Sequence, residues 1–446
     1  MLKVLKFGGT SLGDHKRIIS AAEIVMQNDS CLVVCSAMAG MTNELLRVAE
    51  FWKSGDISNA LNILDSIENN FIQQSELLFP GSTEACCNDF NIVALFENAR
   101  IGLTEPHTIY RENALLALGE MLTSRIFNNY LSLSGRRPVL LNALELVYLD
   151  EDNQPDIEDI ANRLHGVLDE GTIYVTQGFI ATSFDNKIAN LNRGGSDYSA
   201  TLIAAAINAP VVEIWTDIDG IHNNDPRFVE HTFPIRELSY DEAAELAYFG
   251  AKILHPLCIG PVRAKNLPVL LKNSLMPYAE GTLIHSHIHN NGIIRAIAAK
   301  DGITILRITS GRMLNAYGFL ERIFDIFRSM KISVDVVTTS EVSVSVTIDD
   351  SSKLEMLVSE LEMLGKVDIE NERCIVCIVG DVMHPGHIAD IMQRVRDFDI
   401  RMISLGASSN NITLVLPQDQ KIDALNALNG IFNYQGISFS EILNTN

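Results

Sequence analysis

Lys3-Val4-Leu5-Lys6-Phe7-Gly8-Gly9-Thr10-Ser11 opens on a short apolar run and ends in a glycine pair. Val4, Leu5 and Phe7 predict a strand. The two glycines let the backbone turn tightly enough for its N–H groups to wrap an anion. A Walker loop places its lysine after the glycines, as G-x-x-x-x-G-K-[ST], whereas Lys6 comes before them. A phosphate site here therefore belongs to a different architecture. The competing reading is a strand-to-turn corner with a solvated lysine.

Working outward, apolar runs at residues 31–35, 138–143, 172–181 and 211–215 predict further strands. Helical periodicity fills residues 18–27, 45–51, 57–78, 113–131, 198–207 and 240–249. This alternation predicts an α/β fold, an open and mostly parallel sheet sandwiched by helices. Ligands of such sheets bind beyond the carboxyl ends of the strands. Polar or glycine-rich clusters fall at those ends: Gly8-Gly9-Thr10-Ser11, the stretch SAMAGMTN at residues 36–43, and Thr216-Asp217. That placement favours a binding role over a plain corner.

The 446 residues exceed one compact core, so two or three domains are expected. The formal net charge of −22 repels nucleic acid and anionic membrane surfaces, so neither is expected as a partner. No apolar run reaches spanning length and no signal-peptide core opens the chain. Seven cysteines without a regular framework suit a reducing cytoplasm. Cys374-x-x-Cys377 lies in CIVCIVG and reads as strand core rather than metal ligation. His285, His287 and His289 read as a solvated segment, with no acidic or cysteine ligand close in sequence to build a metal site.

Residues 292–300 read as a linker into a second region that holds an internal repeat. A shift of 68 residues brings Gly318 onto Gly386, Ile332 onto Ile400 and Ser340 onto Ser408. With ITILRI and RCIVCIV as leading strands, each copy reads β-loop-α-β-turn-β, a small α+β module. Tandem modules of this kind pack together and offer a small-ligand site between them.

Two stretches of the first region carry most of the chemistry. Leu191-Asn192-Arg193-Gly194-Gly195-Ser196-Asp197 places a second glycine pair before a predicted helix start, where free N–H groups attract anions. On the helix at 113–131, Asn113, Ala117, Glu120 and Ser124 share one face, a polar and small stripe with a single carboxylate. The competing reading is a solvated face, but ordinary solvated faces carry several charges, whereas this one carries a single carboxylate among small groups.

The motifs KFGGTS, SAMAGMTN, LNRGGSDYSA, IWTDIDGIHNNDPR and FGAKILHP, in this order, resemble the aspartate kinases of the amino-acid kinase superfamily. The two C-terminal modules resemble their ferredoxin-like ACT domains. The resemblance implies a catalytic domain at 1–291 and ACT modules at 303–370 and 371–446, side by side or interleaved. With no G-x-G-x-x-G segment after the second module in this sequence, a version not fused to homoserine dehydrogenase is expected. It implies ATP-dependent phosphorylation of the L-aspartate β-carboxylate, with Mg²⁺, as a first step toward lysine, threonine and methionine. Lys6 would bridge the transferring phosphoryl group and Asp197 would orient Lys6 and the metal-bound phosphates. Gly8, Gly9 and Ser11 would cradle ATP phosphates. Thr42 and Glu120 would hold the polar head of the substrate, Arg193 would clamp its α-carboxylate, and Ser196 lies nearby. Thr216, Asp217, Arg227, Lys252 and Ile253 match nucleotide-holding positions, as does His222, where the family commonly has an aromatic residue.

The resemblance also implies a homodimer or larger homo-oligomer through the ACT modules, with lysine as allosteric inhibitor. The effector stretch holds Met313, Gly318, Phe319 and Leu320, followed by Asp335, Thr339, Ser340, Glu341 and Val342. The part from residue 333 to 342 closely resembles the lysine-sensitive members, whose aspartate at the place of Asp335 receives an amino group. Ala316 departs from the serine common there. Two other functions remain open at this stage: a ligand-sensing protein with an inactive kinase domain, and a kinase of a related amino acid.

Overall fold

The computed structural model describes residues 2–81, 92–191, 194–250, 254–286, 288, 293–314 and 317–434. The chain divides into two bodies. The first comprises Met1–Ile221, Arg236–Tyr240 and Ile253–Ile288; the second comprises His222–Ile235, Asp241–Lys252 and His289–Asn446. The boundary expected at 291 is thus crossed by two short segments that leave the first body and return.

In the first body the described strands are β1 (Lys3–Phe7), β2 (Cys31–Cys35), β3 (Val139–Leu140), β4 (Ile173–Gln177), β5 (Ile180–Thr182), β6 (Ile188–Asn190), β7 (Val212–Thr216), β8 (Glu237–Leu238), β9 (Val269–Asn273) and β10 (Thr282–Ile284). The helices are α1 (His15–Met26), α2 (Met41–Lys53), α3 (Ile57–Leu78), α4 (Ile92–Thr104), α5 (Ile109–Leu133), α6 (Ala143–Leu146), α7 (Ile157–Leu164) and α8 (Gly195–Ala206). Then α9 (Tyr240–Tyr248) passes into the second body after its first residue, and α10 (Ile259–Ala264) returns to the first. Among the described residues eight strands form one sheet in the order β3-β4-β2-β1-β7-β9-β10-β8, in which only β9 and β10 pair antiparallel.

Continuous apolar strands such as Cys31–Cys35 are buried on both faces, as a helix-covered parallel sheet requires. Helix α3 is capped by Asp56 and buries Ala60, Leu64, Ile67, Phe71 and Leu78 at helical spacing. Residues 138–143, expected as a strand, pair only at Val139–Leu140. Asn142 accepts the Leu144 N–H at 3.2 Å and caps α6, which ends the strand early.

The second body continues with β11 (Ile294–Thr309), α11 (Phe319–Met330), β12 (Val337–Thr339), β13 (Ser343–Ile348), α12 (Leu354–Glu362), β14 (Lys366–Gly380), α13 (Pro385–Arg394), β15 (Met402–Leu405), β16 (Asn411–Pro417) and α14 (Lys421–Asn429). The sheet order β12-β13-β11-β14-β16-β15 is nearly symmetric about β11 and β14, which is the repeat made visible. The expected linker at 292–300 is corrected: from Ile294 on it is the first half of β11, a 16-residue strand. Ile294 and Ile297 pack with Cys374, Ile378 and Leu425, while Leu306 and Ile308 pack with Phe319, Ile323 and Leu357. Each long strand serves both modules, so the two are interleaved. Cys374 and Cys377 are buried strand residues, as expected. Among the described residues no helix is long and apolar enough to cross a membrane.

Candidate active site

Parallel register brings five strand ends level. Phe7 pairs with Cys35 and Trp215, Cys35 with Gln177, and Thr216 with Asn273. The loops after them leave the sheet side by side, and four close contacts shape the site.

The first is the glycine corner. Gly8 N–H donates to the Trp215 carbonyl at 3.0 Å. A Cβ on Gly8 would meet Lys6 Nζ at 3.5 Å, so the ammonium lies under the loop. A Cβ on Gly9 would stand 2.8 Å from the Ala37 carbonyl, too close for any side chain without moving backbone. Ser11 Oγ lies 3.1 Å from the Trp215 carbonyl and 2.7 Å from Ser274 Oγ, which also donates to the Thr216 carbonyl at 3.0 Å. Three strand ends are stitched by two hydroxyls.

The second contact fixes Glu120. Met38 N–H donates to Thr123 Oγ1 at 3.1 Å, and Thr123 in turn donates to the Gly119 carbonyl. A Cβ on Gly119 would come within 2.7 Å of Ala37 Cβ, so the loop after β2 presses directly onto α5. Glu120 is only 4% exposed and its Oε2 has no partner among the described residues. Burial pushes its carboxyl up to about 8, against the opposing pull of backbone N–H groups, including that of Ala37, and of the Lys6 charge. The solvated-face reading of this helix is therefore wrong: Ala117, Glu120 and Ser124 are all buried. Thr42 sits half-buried in the first turn of α2, just after the same loop.

The third contact sets the second glycine pair. Gly194 (φ +88°) and Gly195 (φ +45°) adopt left-handed backbone that favours glycine, and α8 starts there. A Cβ on Gly178 would sit 2.4 Å from Ser196 Cβ, so only glycine lets the end of β4 meet this helix start. Asp197, in the first turn of α8, forms an ion pair with Lys6 at 2.6 Å.

The fourth is the end of β7, where Thr216 Oγ1 donates to Asp217 Oδ1 at 3.1 Å in an exposed turn.

Lys6, Gly8, Gly9, Ser11, Glu120, Ser196, Asp197 and Thr216 thus gather along one edge of the first body. His222 and Arg227 belong to the second body. There His222 Nδ1 lies 2.8 Å from Thr232 Oγ1, and Arg227 forks onto the Asp225 carboxylate at 2.6 Å. Arg193, Lys252 and Ile253 lie outside the described residues. Of the three expected histidines, His285 is half-buried rather than solvated, 3.9 Å from Glu237, and His287 and His289 fall outside the described residues.

In the second body Gly318 (φ +75°) caps the start of α11 and Phe319 packs inward. Met313 is half-buried, while Leu320, Thr339, Glu341 and Val342 are exposed. Ser340 Oγ lies 2.7 Å from Ser343 Oγ in the turn between β12 and β13. Asp335 Oδ1 accepts from Tyr248 Oη at 2.6 Å and from Lys300 Nζ at 3.2 Å. Sequence reasoning missed Ser274, Thr123, Tyr248 and Lys300. Ser274 alone left a signal, a polar residue directly after an apolar strand.

A family model described as the amino acid kinase family matches residues 1–273, and one described as an ACT domain matches residues 376–432. Chloroplastic aspartokinase 3 of Arabidopsis thaliana is 33% identical, covering 96% of this chain and 81% of its own. Lysine-sensitive aspartokinase 3 of Escherichia coli K12 is 34% identical, covering 93% of this chain and 95% of its own. The crystal structure of E. coli aspartokinase III with aspartate and ADP (R-state) matches with a TM-score of 0.85 at 32% identity, over 97% of this chain and all of that one. The same enzyme with lysine and aspartate (T-state) matches with a TM-score of 0.80 at 32% identity, over 97% of this chain and 99% of that one. The chain belongs to the amino acid kinase family. Along nearly its whole length its relatives in that family are aspartokinases.

Proposed function

We propose that this chain transfers the γ-phosphoryl group of ATP to the β-carboxylate of L-aspartate, giving 4-phospho-L-aspartate, and that lysine inhibits it. The observation that carries this reading is the Lys6–Asp197 pair under a glycine loop, in a site where the buried carboxylate Glu120 keeps one oxygen unpartnered among the described residues. The first arrangement suits a phosphoryl group and the second suits an ammonium.

A carboxylate nucleophile is already ionised at neutral pH, so the reaction needs no general base. The task is to align two anions and neutralise charge on the moving group. Lys6 would supply that charge, with Asp197 holding its ammonium in place. The N–H groups of Gly8, Gly9 and Ser11 would take the ATP phosphates. Thr42 and Glu120 would hold the substrate's polar head, the glutamate receiving its ammonium, Arg193 would clamp its α-carboxylate by a bidentate pair, and Ser196 would lie beside it. Thr216, Asp217, His222, Arg227, Lys252 and Ile253 would hold the nucleotide.

Mg²⁺ fits as an ion carried in on the nucleotide, since it binds through one or two carboxylates plus phosphate oxygens. Among the described residues no group of three His, Cys, Asp or Glu side chains is placed to cage an ion. Asp197 would hold it through its carboxylate. When bound, the ion neutralises phosphate charge.

The ACT modules would join two copies of the chain and carry the lysine site around Met313, Gly318, Phe319, Leu320, Asp335, Thr339, Ser340, Glu341 and Val342. The test is ADP release with ATP, Mg²⁺ and a panel of amino acids, with hydroxylamine present to trap any acyl phosphate. A hydroxamate should form with L-aspartate and none with L-glutamate or N-acetylglutamate. No hydroxamate from folded protein would leave a ligand-sensing role; hydroxamate from glutamate alone would name a different kinase.

A further inference from the structure

Asp335 is the most deeply placed carboxylate of the proposed effector region, its side chain 1% exposed. Its backbone is pinned, with its N–H on the Thr347 carbonyl at 3.0 Å and the Val336 N–H on Thr347 Oγ1 at 2.8 Å. Both internal donors, Lys300 Nζ and Tyr248 Oη, fall on Oδ1. Oδ2 is buried and has no partner among the described residues. A buried carboxylate oxygen left unpaired is costly, and a donor that reaches it is bound strongly. Lys300 is held where it is from two further sides: its ammonium lies 2.8 Å from Asp349 Oδ2 and 4.9 Å from the centre of the Tyr248 ring.

Where the lysine reading above puts the effector's ammonium at Asp335, we propose that Lys300 is a built-in rival for the same carboxylate, setting how much effector is needed. The inference rests on the lysine reading above and adds the rival to it. An incoming ammonium meets a carboxylate already half neutralised, and it meets a like charge across that carboxylate. Both effects weaken binding, and both vanish when the Lys300 charge is removed. Tyr248 is the last residue of α9 and shares Oδ1 with Lys300, so occupation of Asp335 is felt at the end of that helix.

The experiment is equilibrium dialysis of radiolabelled L-lysine against the full chain, as wild type, Lys300→Met, Lys300→Gln and Lys300→Arg, with Asp335→Ala alongside. Circular dichroism melts identify the folded variants, and the Gln variant keeps a hydrogen-bond donor if Met unfolds. Lys300→Met and Lys300→Gln should bind lysine about tenfold more tightly, and Lys300→Arg should stay near wild type. Wild-type binding that is lost in Asp335→Ala, with no gain in the Met and Gln variants, overturns the rival and leaves the lysine site standing. Binding that survives Asp335→Ala, or binding in none of the proteins, overturns both.

Discussion

The two bodies each hold a lysine–aspartate pair, Lys6–Asp197 at 2.6 Å and Lys300–Asp335 at 3.2 Å, and in the proposed function the same two residue types serve opposite ligands. In the first pair the lysine is the deeper member, 10% exposed against 19%, and it lies beneath a glycine loop rich in N–H donors. In the second the aspartate is the deeper member, 1% against 21%, and it keeps an oxygen without a partner among the described residues. The member buried deeper decides which charge is left uncompensated, hence whether the pair attracts an anion or a cation. An ion pair is therefore informative about function only together with what its atoms leave unsatisfied.

The sharpest way to break the comparison is Lys6→Met. If the lysine serves a moving anion, kcat should fall by about 10²–10³-fold while the aspartate KM changes little, because the charge matters most in the transition state. Steady-state kinetics reads the split; an effect confined to KM would contradict it. The counterpart is Asp335→Ala, which removes a charged hydrogen bond of about 1.5–3 kcal/mol and should raise the lysine concentration for half-inhibition by roughly ten- to hundredfold. A dose–response curve that does not move would detach Asp335 from sensing.

Glu120 sharpens the first half of the comparison through pH. Its carboxyl titrates at about 8 in the free protein because it is buried, so below that pH it is mostly protonated and cannot pair with an ammonium. Aspartate affinity should rise as pH rises toward 8, by up to about tenfold per unit, and level off above it. Glu120→Gln should flatten that profile. The same group affects stability in the other direction: the folded form keeps its proton to about 8 while the unfolded chain loses it near 4.5, so its contribution to stability is lost as pH rises through that window. The smallest effect is expected from Ser274→Ala, which frees the glycine corner from the end of β9. A hydrogen bond of about 0.5–1.5 kcal/mol corresponds to a few-fold rise in the ATP KM.

These residues were not equally legible in the sequence. The glycine corner, the second glycine pair and the Glu120 stripe announce themselves by local pattern, because turn chemistry and helical spacing are local properties. Ser274 meets Ser11 only because β9, β7 and β1 lie side by side, and strand order is not written in any window of the chain. Tyr248 and Asp335 stand 87 residues apart, and a helix from within the catalytic range supplies the contact. Residues 292–300 resembled a linker for the same reason: the partner that makes Ile294–Lys300 a strand is the far half of β14. Long-range pairing decided these three, whereas β3 stops short of residue 143 for a local reason, the Asn142 cap.

The proposed reaction is a carboxylate attacking a phosphoryl group held at Lys6. Phosphorus NMR of the protein turning over ATP and Mg²⁺ with L-aspartate observes that bond as it forms. The account predicts an acyl-phosphate resonance that grows with ADP, needs L-aspartate, and disappears on adding hydroxylamine. ADP accumulating with inorganic phosphate alone, or an acyl phosphate that forms equally well in the Lys6→Met protein, would contradict it.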